Sequence, residues 1–163
     1  MKKIDLKKLV ISALLASFTC VATMIIQIPN GIGGYFNLGD CIVLLCGWLL
    51  GPVYGALAAG IGSMLADVFS PYIIYAPATF IIKALMAVVA YYTLKKGKAW
   101  VLVSGLCAEA IMVFGYFVFE GVFIYNFGTA AVALIANALQ GAVGIVTAAL
   151  LKEFIDRKGL WKY

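Results

Sequence analysis

The stretch LVISALLASFTCVATMIIQI, Leu9 to Ile28, runs for twenty residues without a charge. It follows the basic residues Lys2, Lys3, Lys7 and Lys8 and stops at Pro29-Asn30-Gly31. Twenty apolar residues in a helix cover about 30 Å, the thickness of a bilayer's hydrocarbon core. A secretory leader has a shorter apolar region and a small-residue cleavage site ahead of a soluble domain. The stretch is read instead as a first membrane helix.

Working outward, the same character recurs. Spans are expected at about 9–28, 38–50, 52–69, 74–94, 99–119 and 128–151, the second being short. Their breaks fall at Gly51-Pro52, Ser70-Pro71 and Lys95-Lys96-Gly97-Lys98, where turn-forming or charged residues interrupt the apolar pattern. The expected fold is all-α and integral to the membrane, a bundle of six transmembrane helices forming a single domain over residues 1–163. Composition agrees: 65% of the 163 residues are hydrophobic and 12% charged, with a mean hydropathy of +1.08. A soluble globule of this size cannot hide so much apolar surface. No histidine is present, which removes Ser-His-Asp triads and H-E-x-x-H zinc sites. Cys20, Cys41, Cys46 and Cys107 form no C-x-x-C pair and read as small packing residues. No metal and no cofactor are expected, and no nucleic-acid motif is found.

The lysines set an orientation. Besides the N-terminal cluster there are Lys95, Lys96 and Lys98, then Lys152, Arg157, Lys158 and Lys162. With six spans all three clusters fall on one side, which the positive-inside rule makes the cytoplasm. Both termini are therefore expected to be cytoplasmic. The basic tails are also able to touch anionic lipid.

Lipid tails give helices no hydrophobic reason to associate, so tight contacts need small side chains. Ser12, Ala13, Ala16, Ser17 and Cys20 form such a stripe on the first helix. It serves either packing within the bundle or docking to a separate membrane subunit. The glycines and alanines of the third and sixth helices read as internal packing surfaces.

Charges within a bilayer are rare and face a cavity or one another. Here they are Asp40, Asp67, Lys83, Glu109 and Glu120, joined by Asn137 and Gln140. Most fall in the half of the bundle away from the basic clusters, with Tyr116 one turn below Glu120. The loop from Asn30 to Asn37 is glycine-rich and able to fold over an opening, and Tyr72, Tyr75, Tyr125 and Asn126 sit at the same level. Aromatic faces, carboxylates, a lysine and amides around one outward pocket suit a small, polar, ring-shaped ligand. Structural roles compete: Lys83 pairs with Asp67 or with Glu109, and Asp40 caps the second helix.

Four motifs narrow this further: Tyr35-Phe36-Asn37-Leu38-Gly39-Asp40, Leu50-Gly51-Pro52-Val53-Tyr54-Gly55, Ala59-Gly60-Ile61-Gly62-Ser63-Met64-Leu65-Ala66-Asp67, and Tyr75-Ala76-Pro77-Ala78-Thr79-Phe80-Ile81-Ile82-Lys83. Together they resemble the substrate-binding S component of energy-coupling factor (ECF) vitamin transporters. The motifs lie in residues 35–83; the second half matches in length and topology only. The resemblance implies a subunit of the bacterial cytoplasmic membrane that binds a vitamin from outside, under a lid made by the first external loop. It implies docking to a membrane scaffold subunit carrying two cytoplasmic ATPases, which drive delivery inward. It further implies that the helix-one stripe, Ser12-x-x-x-Ala16 or Ala13-x-x-x-Ser17, is the docking surface. The chain has no P-loop and is not expected to be an enzyme.

The nearest branch is the one linked to pyridoxine or hydroxymethylpyrimidine, with riboflavin and pantothenate binders as close relatives. The ligand residues expected on this basis are Asn37, Asp40, Asp67, Tyr75, Lys83, Tyr116, Glu120 and Asn137. A stand-alone ion-coupled carrier using Asp67, Glu109 and Lys83 is the alternative. Such carriers usually show inverted repeats or broken helices, which are not evident here.

Overall fold

A computed structural model of the chain describes residues 6–29 and 34–161. Lys2, Lys3 and Lys162 of the basic clusters, and Asn30, Gly31, Ile32 and Gly33 of the glycine-rich loop, lie outside the described residues.

Six helices follow in chain order: α1 (Leu6–Ile25), α2 (Gly39–Leu45), α3 (Pro52–Val68), α4 (Ala76–Leu94), α5 (Val101–Phe119) and α6 (Phe127–Arg157). A π-helical turn, Cys46–Leu50, prolongs α2, and another, Glu120–Ile124, prolongs α5; a 3-10 turn, Ile73–Tyr75, leads into α4. Between α1 and α2 lies a short antiparallel hairpin, β1 (Ile28–Pro29) with β2 (Tyr35–Phe36), paired Ile28 to Phe36 and Pro29 to Tyr35. The all-helical expectation holds apart from this hairpin, which also ends the first helix at Ile25 rather than Ile28. Proline is tolerated here because a two-residue edge strand can dispense with its N–H.

Four helical stretches are long and apolar enough to cross a membrane: Leu6–Ile25, Ile73–Leu94, Val101–Ile124 and Phe127–Arg157. The other two, Gly39–Leu50 and Pro52–Val68, are shorter; they fall at the expected 38–50, already read as short, and at 52–69. The physical reason lies at residue 51. Gly51 takes φ 84°, a conformation that favours glycine, and Pro52 then starts α3 at a position where its missing N–H costs nothing. A helix arriving from Gly39 has only twelve residues before this turn.

α2 is short because it is interior. Gly39, Asp40, Cys41, Val43, Leu44 and Leu45 are all buried, and a helix apolar all round belongs inside a bundle. Val43 and Leu44 join Met86 of α4 and Met112 of α5 in the centre of the core. Within the same core a polar chain ties three elements: Trp48 Nε1 donates to Ser104 Oγ at 2.8 Å, and Ser104 Oγ donates to the Ala90 carbonyl at 2.7 Å. Around the outside, apolar side chains face outward: Val53, Leu57 and Ile61 on α3, Leu102 and Leu106 on α5, Ile135 and Leu139 on α6. That inside-out pattern is what a lipid solvent permits.

α1 lies directly against α3. A Cβ on Gly62 would stand 2.4 Å from the Ala16 carbonyl and 2.8 Å from Thr19 Cβ, so only glycine lets these helices approach so closely. α6 runs six residues beyond the expected Leu151, to Arg157, carrying the i,i+4 pairs Lys152–Asp156 and Arg157–Glu153.

Candidate functional site

Helices that alternate in direction bring the last turns of α1, α3 and α5 to the same end as the first turns of α2, α4 and α6. The hairpin lies at that end, with Tyr35 of β2 on the cavity wall. There the structure brings together seven of the eight expected ligand residues: Asn37, Asp67, Tyr75, Lys83, Tyr116, Glu120 and Asn137 line one cavity, with about 430 Å³ of empty space counted to its open mouth.

Asp40, the eighth, sits beneath the lining and does not cap α2. The α2 N-cap is Leu38 with no side-chain cap bond; Asn37 serves instead, its Oδ1 accepting from Gly39 N at 2.8 Å. Asp40 is fully buried and is the ion-pair partner of Lys83. Neither pairing expected for Lys83, with Asp67 or with Glu109, is the one formed. Gln140 completes the network: its Nε2 donates to Asp40 Oδ2 at 2.6 Å, and its Oε1 accepts from Asn37 N at 2.8 Å and Asn37 Nδ2 at 3.3 Å. A carboxylate in an apolar interior needs its lone pairs satisfied, and Asp40 has an ammonium on one oxygen and an amide on the other.

The walls are less completely paired. Tyr35 donates to Asp67 Oδ1 at 2.6 Å and stacks on Tyr72, ring centres 4.3 Å apart. Burial, and then the Asp67 carboxylate, push the Tyr35 phenol far above its usual range, so it stays a donor. Tyr75 donates to Glu120 Oε1 at 3.3 Å. The Thr79 and Tyr116 hydroxyls lie 3.0 Å apart, and the Lys83 ammonium stands 5.6 Å from the Tyr116 ring centre. Among the described residues, Asp67 Oδ2, Glu120 Oε2, Thr23 Oγ1 and Ser63 Oγ are buried without a hydrogen-bond partner, and all four residues line the cavity.

Thr23, Tyr35, Ser63, Thr79 and Gln140 line the cavity but were not among the expected ligand residues. Gln140 carried a signal, an amide in an apolar helix. The hydroxyl residues carried none, since Ser and Thr in membrane helices usually satisfy themselves on a backbone carbonyl one turn back. Tyr125 and Asn126 lie outside the lining; Asn126 caps α6, accepting from Thr129 N at 3.0 Å.

Glu109 stands apart from the ligand cavity. It is buried on α5, with neither carboxylate oxygen hydrogen-bonded among the described residues. A Cβ on Gly144 would lie 3.0 Å from Asp40 Cβ and 3.2 Å from Glu109 Oε1, so the missing side chain on α6 is what lets the two acids sit so near each other. Among the described residues no metal-holding cluster of His, Cys, Asp and Glu is found, and all four cysteines are free.

The two helix-one spacings lie about 100° apart around the helix and differ in burial. Ser12 is buried, and Ala16 packs at Gly62 of α3. Ala13 and Ser17 are exposed on the outer surface.

Comparison with known proteins gives consistent relatives. The family model of the ECF-type riboflavin transporter, S component, matches residues 3–157. A Pyrococcus woesei protein, described as the uncharacterized protein in gap 3'region, is 33% identical over 129 residues, covering 77% of this chain and 86% of that protein. The thiamine precursor transporter HmpT of Lactococcus lactis subsp. cremoris (strain MG1363) is 28% identical over 158 residues, covering 96% of this chain and 92% of that protein.

Proposed function

Because this chain belongs to the ECF-type riboflavin transporter S component family, a family of multi-pass membrane transport subunits, we propose that it captures hydroxymethylpyrimidine or pyridoxine outside the cell. It passes the ligand inward with a membrane scaffold subunit and two cytoplasmic ATPases. The basic clusters support a reading with the termini in the cytoplasm and the cavity outward.

One observation carries the choice of ligand: Asp67 Oδ2 and Glu120 Oε2 are buried acceptors with no partner, both on residues lining an aromatic cavity. Unmatched carboxylate oxygens call for N–H or O–H donors on the ligand. Amino and hydroxymethyl groups on a small aza-ring supply them, while tyrosine faces cover the ring. Pantothenate, itself a carboxylate, would meet two acids whose one nearby ammonium is already held by Asp40. The thiamine-precursor activity of HmpT supports the pyrimidine. The name of the family model favours a second reading, riboflavin.

Mass spectrometry of the ligand released from detergent-purified protein, followed by equilibrium titration, separates these. A pyrimidine or pyridine is expected, with Glu120→Gln weakening it about tenfold, as for loss of a charged hydrogen-bond acceptor. Recovery of riboflavin would transfer the assignment to the second reading.

The docking surface follows the exposed spacing. Ala13 and Ser17, with no bulk between them and the outside, offer the scaffold subunit a flat face, whereas Ser12 and Ala16 are occupied within the bundle.

A further inference from the structure

Hydroxyls in membrane helices have a default partner, the carbonyl one turn back. This protein uses it repeatedly: Ser12 donates to Lys8 O at 2.7 Å, Thr19 to Leu15 O at 2.8 Å, Ser70 to Ala66 O at 2.7 Å and Thr147 to Val143 O at 2.7 Å. Ser104 and Thr79 bond to a neighbouring helix instead, and two buried hydroxyls do neither. Thr23 on α1 and Ser63 on α3 are 3% and 1% exposed, line the cavity, and leave their hydroxyls without a partner among the described residues. Burying a hydroxyl unpaired costs about 1–3 kcal/mol, so a conformation that forgoes the default bond needs a compensating partner. The surroundings are also cleared for it: a Cβ on Gly39 would stand 2.0 Å from Thr23 Oγ1. The glycine of the Asn37-Leu38-Gly39-Asp40 motif therefore leaves room for the Thr23 hydroxyl.

We propose that Thr23 and Ser63 contact the ligand, so that the occupant of the cavity is bound directly by the α1–α3 pair. The proposal rests on reading the cavity as a vitamin site, and it deepens that reading. Asp67, one turn on from Ser63 along α3, and Glu120 present carboxylate oxygens, which only accept. A hydroxyl both donates and accepts, so Thr23 and Ser63 supply donors for a ring nitrogen or ligand hydroxyl that carboxylates cannot serve. The Lys83 ammonium has one of its three N–H groups on Asp40. The ligand this selects carries both hydrogen-bond donors and acceptors. The contact also falls on the helix whose other face carries Ala13 and Ser17, linking occupancy to the surface offered to a partner.

The test measures affinity of the purified full chain for hydroxymethylpyrimidine, pyridoxine and riboflavin in turn. Thr23→Val and Ser63→Ala are expected to weaken whichever ligand binds by about five- to tenfold. Thr23→Ser stays within about twofold because it keeps the hydroxyl. Thr19→Val, whose hydroxyl lies outside the cavity, leaves affinity unchanged. Melting of the ligand-free variants near wild type excludes a folding cause. Unchanged affinity in Thr23→Val and Ser63→Ala overturns the proposal while leaving the vitamin reading intact.

A second measurement is independent of any ligand. In a background with the four cysteines replaced by alanine, Thr23→Cys is expected to react with a charged, water-soluble methanethiosulfonate. A wild-type chain that binds none of the three vitamins overturns the vitamin reading and, with it, the role as vitamin contacts. Failure of Thr23→Cys to react overturns the claim that this position faces an open cavity.

Discussion

Lys83 shows how far a single residue can be read from sequence. Its depth in an apolar helix marked it as either a ligand contact or half of an ion pair. Which acid it would choose was not legible, because Asp40 reaches it only when α2 is threaded through the centre of the bundle, an outcome of packing. The structure gives Lys83 both positions: it is paired with Asp40 and it lines the cavity. Removing one member of a buried pair costs about 3–5 kcal/mol by leaving the other charge alone. Lys83→Met is accordingly expected to lower the melting temperature of ligand-free protein strongly, and Asp40→Asn with Lys83→Met to recover most of the loss. Wild-type melting of Lys83→Met would show that Asp40 is held by something else. The acids of the site divide along the same line: Asp40 is saturated by partners, whereas Asp67 and Glu120 each keep one oxygen free.

At the scale of the element, α1 carries most of the instruction. Its small residues were visible in the sequence, but their two overlapping spacings were not separable without a partner helix. Gly62 separates them, because only its bare backbone admits the Ala16 side of α1. Ser17→Trp is therefore expected to abolish co-purification with the scaffold subunit while leaving vitamin affinity unchanged. Ala16→Trp should instead unseat α1 from α3 and lower the melting temperature of the isolated chain. Normal assembly by Ser17→Trp would remove this face from the interface. Helix ends were legible only where the sequence supplied a stop. Gly51-Pro52 and the lysines after Leu94 were found, but the end of α1 was misplaced by three residues. Nothing in Ile26-Gln27-Ile28 shows that a hairpin rather than a further helical turn begins there.

The whole molecule was the most legible scale, since composition and the placing of lysines are global properties. Six helices in alternating directions put both ends of the chain on one side. Tags at either end are expected to be protease-sensitive in inverted membrane vesicles and protected in right-side-out ones, with the cavity thiol of Thr23→Cys showing the reverse. Opposite accessibility of the two tags would refute an even number of crossings. What composition did not reveal is why the second helix is shorter than the others: α2 is shielded by protein and is free to be short.

That inequality reaches beyond the protein. α3 has seventeen residues, about 26 Å of helix, and turns Val53, Leu57 and Ile61 outward, whereas the uncharged part of α6, residues 127–151, runs about 38 Å before the charged last turns. Lipid meeting the α3 flank finds a shorter hydrophobic wall than lipid meeting α6, and a bilayer pays for such mismatch by thinning or by tilting what it surrounds. The annulus around this subunit is expected to be uneven, thinner beside α3 than beside α6.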